Sequence, residues 1–226
     1  MMHQEVGIRQ RRGEAMVGMR AGLAATRVLR DRGVRFAFGV PGESFLGLLD
    51  ALHETPEIRL VSTRHEGGAA FMADAVGKLT GLPAICMGTR GVGSANLAIG
   101  IHTAQQDSTP LIALVGQVET PYRHTEALQE VELASFLGEI TKWSVEAPNG
   151  ERLPSIVSEA FRRSVSGRPG PVAVALRGDI LDEVAPADLP PATATPAATP
   201  RASDVEAIVA TLAAAQRPLI IAGGGV

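Results

Sequence analysis

The sequence has one cysteine, one tryptophan and one tyrosine among 226 residues. With Cys86 alone, neither an internal disulfide nor a cysteine-based zinc site can form, and a reducing compartment fits. Aromatic residues make up 4% of the chain, too few for a stacking platform along single-stranded nucleic acid. Neither sign of charge dominates: 21 Lys and Arg against 24 Asp and Glu give a formal net charge of -3. That balance points to neither nucleic acid nor an anionic membrane as partner. The one basic cluster, Arg9, Arg11 and Arg12, lies beside Glu14 and reads as a solvated tail. No signal-like apolar segment and no apolar run of about 18 residues occur, so a soluble cytoplasmic protein is expected.

What is present is ordinary for a folded chain: 45% hydrophobic and 20% charged residues, enough to bury a sizeable core. The length suits one large domain plus a fragment, or two small ones. Short apolar runs recur at Phe36–Val40, Ile58–Ser62, Ala84–Gly88, Leu111–Gly116, Thr141–Val145 and Val172–Leu176. Leu111 to Val115 is apolar at every position, as a strand buried on both faces would be. Between the runs, Phe45, Leu48, Leu49 and Leu52 repeat at helical spacing, as do Ile156, Val157, Ala160 and Phe161. This alternation predicts a doubly wound α/β fold: a six-stranded parallel sheet with helices on both faces.

Composition also divides the chain. Residues 1–18 read as a flexible leader, 19–183 as the sheet domain, and 184–202 as a Pro/Ala/Thr linker. Residues 203–226 read as the beginning of a second α/β domain cut short. A helix capped by Ser203 or Asp204 is followed there by the strand Pro218–Ala222 and three glycines.

In an open parallel sheet, ligands bind where strand ends lead into helix starts. Four strand ends here carry conspicuous loops: Gly39 to Ser44, Thr63 to Gly68, Gly88 to Asn96, and Gly116 to Glu119. None completes a dinucleotide fingerprint or a nucleotide phosphate loop, and His65-Glu66-Gly67-Gly68-Ala69 lacks the second histidine of a zinc motif. Taken alone, Glu66 in a helix's first turn favours the macrodipole by about 0.3–1 kcal/mol. Cys86 reads as core filler, His53 and His102 as surface or interface residues, and His65 as a backbone hydrogen-bonding partner.

Together the loops resemble the N-terminal, pyrimidine-binding domain of thiamine-diphosphate enzymes of the acetolactate-synthase (acetohydroxyacid-synthase) type. The resemblance runs from about Met19 to Asp182. It rests on Val40-Pro41-Gly42, Arg64-His65-Glu66, Gly91-x-Gly93-x-x-Asn96, Asp107-Ser108-x-Pro110, Gly116-Gln117-Val118, Leu128-Gln129-Glu130, Ile140-Thr141-Lys142 and Ser166 to Val172. Arg217-Pro218 to Gly225 resembles the opening of that family's central domain.

The resemblance implies that Glu66 hydrogen-bonds a ring nitrogen of the cofactor's aminopyrimidine. The ring shifts towards its imino form, whose nitrogen removes the thiazolium C2 proton. It further implies that Pro41, Gly42, Gly91 and Asn96 line the pyrimidine pocket and that Gln117 projects towards the reacting end. Two departures touch the substrate pocket. Arg90 stands in a Thr-Arg-Gly-Val-Gly loop where the family has Thr-Ser-Gly-Pro-Gly; it either pairs with a substrate carboxylate or makes a surface salt bridge. Leu128, beside Gln129, replaces a phenylalanine. Arg168 matches a position that contacts FAD in flavin-containing members, so FAD is a possible second cofactor.

The diphosphate half is not found. That family holds Mg²⁺ and the diphosphate with Gly-Asp-Gly and a later asparagine. Gly178-Asp179 is the sole candidate, and no asparagine follows Asn149. The expectation is therefore half of a site, with no metal ligands of its own and no turnover alone. The other half would come from a homo-oligomeric partner, at least a dimer, or a separate diphosphate-domain subunit. The expected substrate is a 2-oxoacid such as pyruvate. The alternatives are a non-catalytic binding or assembly module and a benzoylformate-decarboxylase-like enzyme.

Overall fold

The structure is a computed structural model describing residues 18–193 and 199–223. Its elements are β1 (Gly18–Arg20), α1 (Ala21–Asp31), β2 (Phe36–Gly39), α2 (Leu46–His53), β3 (Arg59–Ser62), α3 (Glu66–Thr80), β4 (Ala84–Thr89) and α4 (Arg90–Gln106). There follow β5 (Leu111–Gln117), α5 (Leu133–Gly138), β6 (Trp143–Glu146), α6 (Leu153–Val165), β7 (Pro171–Arg177), β8 (Val184–Pro186) and α7 (Ala202–Ala214).

Six strands form the predicted parallel sheet, in the order β3-β2-β4-β5-β7-β6. Alternation sorts their side chains onto two faces. On β5, Ile112 and Leu114 join a core with α1, α2 and α6, while Leu111, Ala113 and Val115 join one with α3, α4 and α5. Cys86 is fully buried in the second core, where burial pushes its thiol pKa upward. That core is built from small residues. A Cβ on Gly100 of α4 would lie 2.5 Å from the Ala70 Cβ of α3, so the two helices meet almost backbone to backbone.

The strand order places a switch point between β2 and β4. The chain leaves β2 for β3 on one side and returns as β4 on the other. Loops leaving the carboxyl ends of those strands diverge there and open a crevice.

Charge fastens α6 to the sheet edge. Arg162 and Arg163 donate to the Glu159 carboxylate at 2.5 and 2.6 Å, and the Arg163 guanidinium lies 5.2 Å from the ring centroid of Trp143 on β6. The Arg162 hydrogen bonds, followed by those of Arg163, lower the Glu159 pKa from 4.5 to about 2. A depressed carboxylate stabilises the fold above its unfolded pKa, and the contribution fades as pH falls through the folded value. The side chain is one-third exposed, so solvent holds the effect to about 0.5–1 kcal/mol. Glu159→Gln should therefore lower stability by about that much at pH 7, and the difference from the native sequence should close between pH 4.5 and 2. Urea unfolding midpoints at pH 7 and pH 2.5 would check this.

The ends of the chain differ from expectation. Val184–Pro186, predicted as linker, pairs antiparallel with Gly18–Arg20 as a second, two-stranded sheet. A three-residue strand leaves no periodic signature, and Gly18 permits the approach: a Cβ there would meet the Val184 side chain at 2.3 Å. Gly18 thus belongs to the folded domain, while the remainder of the predicted leader, with its basic cluster, lies outside the described residues. Helix α7 begins one residue before the predicted cap. Neither Ser203 nor Asp204 caps it; Asp204 sits in the first turn near Arg201, where a carboxylate favours the macrodipole. Val205, Ile208, Val209 and Leu212 are exposed along it. Pro218 to Ala222, predicted as a strand, is not one, since a strand without a neighbour has no ladder for its backbone groups. Among the described residues no helix is long and apolar enough to cross a membrane.

Candidate functional site

At the switch point lies a cleft of about 260 Å³ lined by Val40, Pro41, Gly42, Glu43, Glu66, Thr89, Val92, Gly93 and Gln129. These residues come from the loops after β2, β3, β4 and β5, four neighbouring strands.

Glu66 is the first residue of α3 and half-buried. Its backbone is set by His65, whose Nδ1 accepts from the Gly67 N–H at 3.0 Å and caps the helix. This is the backbone role expected for His65. Its carboxylate is set from the facing helix: Asn96 Nδ2 donates to Glu66 Oε2 at 2.9 Å. Among the described residues no donor reaches Oε1, the oxygen towards Gly93. A Cβ on Gly93 would lie 3.5 Å from Oε1 and 2.9 Å from the Gly88 backbone. Glycine at 93 thus both seats α4 on β4 and leaves the space before the carboxylate open.

Gly42 has extended backbone (φ −147°), which any residue adopts. What requires glycine is proximity, for a Cβ would fall 1.8 Å from Thr89 Oγ1. The β2 and β4 loops touch there and form the floor of the crevice.

The remaining predicted residues are placed more variously. Pro41, Gly42, Glu66 and Gln129 line the cleft. Asn96 acts on it through Glu66. Gly91 lies behind it, its N–H donating to Gln129 O at 3.0 Å. Gln117 is fully buried: its amide donates to Val131 O and accepts from the Val118 N–H. Its side chain is tied into its own loop and is absent from the cleft lining. Arg90 and Leu128 are also outside the lining. Leu128 is 72% exposed. Arg90 makes the salt-bridge alternative, 3.6 Å from Glu43.

Arg168 precedes β7, at the end of the sheet opposite the cleft. Its guanidinium donates to Ser108 Oγ and to the carbonyls of Gln105 and Gln106, closing the end of α4. Asp179 accepts from the Thr120 N–H at 3.1 Å.

Sequence reasoning missed the framework of the loop that carries Gln129. Arg123, 8% exposed, pairs with Glu130, Glu132 and Glu146. Glu130 also accepts from the N–H groups of His124 and Ala127. Those bonds, His124 first and then Arg123, hold its carboxyl below the ordinary range. Gln129-Glu130 thus divides its labour, one side chain facing the cleft and the next anchoring the loop. The available signal was a lone arginine between Glu119 and Glu132, a segment with four glutamates.

The family described as "Thiamine pyrophosphate enzyme, N-terminal TPP binding domain" matches residues 19–136, just over half of the chain. The chain is 39% identical over 200 residues to the acetolactate synthase isozyme 1 large subunit of Escherichia coli (strain K12), covering 88% of this chain and 36% of that protein. It is 40% identical over 200 residues to the isozyme 2 large subunit of the same organism, with the same coverage. With the acetolactate synthase large subunit of Corynebacterium glutamicum it shares 34% identity over 217 residues, 94% of this chain and 34% of the relative. The chain thus spans about a third of the length of these relatives. On its sheet, its switch-point cleft and this match, the chain belongs to the thiamine pyrophosphate enzyme N-terminal TPP binding domain family, in its acetolactate-synthase type.

Proposed function

We propose that this chain is the pyrimidine-binding portion of a thiamine-diphosphate-dependent 2-oxoacid carboligase or decarboxylase, acetolactate-synthase-like, with Glu66 as its activating carboxylate. The observation that carries the reading is the Glu66 carboxylate itself. One oxygen is fixed by Asn96, and the other faces open space beside Gly93 in a cleft of about 260 Å³. The fit is chemical as well as spatial. An oriented acceptor beside a glycine-lined wall suits the edge of a flat heteroaromatic ring, and glycine lets backbone approach such a ring closely.

Thiamine diphosphate, when bound, supplies an electron sink for breaking or forming the bond beside a 2-oxoacid carbonyl. The chain's own contribution is to hold and share a proton at Glu66 Oε1. Asn96 keeps the carboxylate turned towards the cleft, and Gly42 with Thr89 closes its floor. Gln129 stands where a substrate would enter, with pyruvate the expected 2-oxoacid and branched-chain amino-acid biosynthesis the expected setting. Mg²⁺ and the diphosphate belong, in this reading, to a diphosphate-binding domain on another subunit or segment, which makes association obligatory. Arg168 needs no flavin to account for it, because its donors already close α4.

The 226-residue chain alone should form no acetolactate from pyruvate with Mg²⁺ and thiamine diphosphate. Turnover should appear when a diphosphate-binding domain bearing Gly-Asp-Gly and its asparagine is added. Robust product from the pure chain would overturn the half-site reading. Stable association without turnover or cofactor binding would favour an assembly module.

A further inference from the structure

Arg90 is backbone-strained where strain is conspicuous. Its φ of 48° lies in the left-handed region, which for a non-glycine residue costs on the order of 1–3 kcal/mol and persists only when its surroundings enforce it. Three residues of the facing loop, His124, Glu126 and Gln129, share that region with φ of 65°, 56° and 63°. The two strained segments grip each other at consecutive positions. The Arg90 Nη1 donates to Leu128 O at 3.2 Å, and the next residue, Gly91, donates its N–H to Gln129 O at 3.0 Å. Gly91 permits the approach, since a Cβ there would press on Val131 at 3.0 Å and on Gln129 O at 3.1 Å. The same guanidinium nitrogen lies 3.6 Å from Glu43, a residue of the cleft lining.

Arg90 is not built as an anion receptor. Its side chain is 17% exposed, its Nε is sealed from solvent with no partner among the described residues, and it does not line the cleft. A 2-oxoacid carboxylate would have to displace the Leu128 carbonyl or Glu43 to reach it.

We propose that Arg90 is a positioning residue, a latch that grips the Leu128–Gln129 peptide against the start of α4 and thereby holds Gln129 in the cleft lining. Its relevance to substrate entry rests on the function proposed above; the latch itself does not. It joins three loops, after β2, β4 and β5, at one guanidinium, so the shape of the cleft lining depends on a residue that touches no ligand.

The test is amide hydrogen exchange on the ligand-free chain, which reads the latch whether or not the cofactor assignment holds. In Arg90→Met, which keeps the aliphatic stem, the Gly91 amide and those of residues 124–131 should exchange about ten- to a hundredfold faster, as expected when a charge-assisted hydrogen bond is lost. Arg90→Gly relieves the φ strain and should release the loop equally, so it decides the matter should the methionine variant fail to fold. Arg90→Lys, with a donor able to reach Leu128 O, should keep the loop within about threefold of wild type. Amides of β5 should not change in any variant. Unchanged loop exchange in both the Met and Gly variants, or acceleration spread equally through β5, would overturn the latch.

Discussion

In a holoenzyme assembled from this chain and a diphosphate-binding domain, Glu66→Gln should slow exchange of the thiamine diphosphate C2 proton by about 10²–10⁴-fold. The carboxamide is nearly isosteric, so Asn96 Nδ2 can still donate, now to an amide oxygen in the place of Oε2. The group turned to the cleft then becomes an NH₂, a donor that cannot share a ring proton. Stability should fall by no more than the about 0.3–1 kcal/mol that a carboxylate contributes in a helix's first turn. This separates the two roles open to Glu66. If it only favours the macrodipole, the variant loses that increment and exchange is unaffected. If it activates the cofactor, exchange collapses with the fold nearly untouched. Deuterium exchange at C2 followed by proton NMR, beside a urea denaturation curve, distinguishes them; wild-type exchange in a folded variant would sink the assignment.

The parallel sheet was legible because its physics is periodic. Leu111 to Val115 is apolar throughout, and its residues serve the two cores alternately. The placement of Glu66 was legible for another reason: strand-end segments of a parallel sheet gather at one edge, and residues following β2, β3, β4 and β5 line one cleft with it. What escaped was either short or non-local. The three-residue pairing of β1 with β8 has no period to read. Pro218 to Ala222 has the composition of a strand, but strand formation depends on a neighbour that composition does not supply. Gln117 and Glu130 sit beside the site in sequence, yet their side chains turn into the loop, towards Val131 O and Arg123. In sequence, Arg90 reads as a charge beside a substrate pocket. Its work lies in a backbone carbonyl 38 residues onward, a contact that only the fold brings within reach.

Gly116→Ala should destabilise the chain by about 1–3 kcal/mol, the usual cost of forcing extra volume into a packed interior. For a chain of this size each kcal/mol corresponds to about 2–4 °C in Tm. Gly116 is the penultimate residue of β5, paired with Thr89 on one side and Leu176 on the other. A Cβ there would meet Ser44 Oγ at 2.1 Å and the Ser44 Cβ and carbonyl oxygen at 2.8 Å. Rotating the hydroxyl away relieves only the first of these contacts. The backbone of Ser44 cannot withdraw easily, because the next residue, Phe45, is fully buried in the core against α2. The turn from Pro41 to Ser44 would have to shift as a unit, carrying Pro41, Gly42 and Glu43, three residues of the cleft lining. Gly68→Ala provides the opposing case on α3. Nothing lies within 4 Å of a Cβ there, and alanine is favoured over glycine in a helix by about 0.5–1 kcal/mol. The same chemical change should therefore raise Tm at position 68 and lower it at position 116, as calorimetry on both variants would read. Equal stability for Gly116→Ala and the native chain would mean that the β2 turn can part from the end of β5 without cost, and the rigid floor inferred for the cleft would go with it.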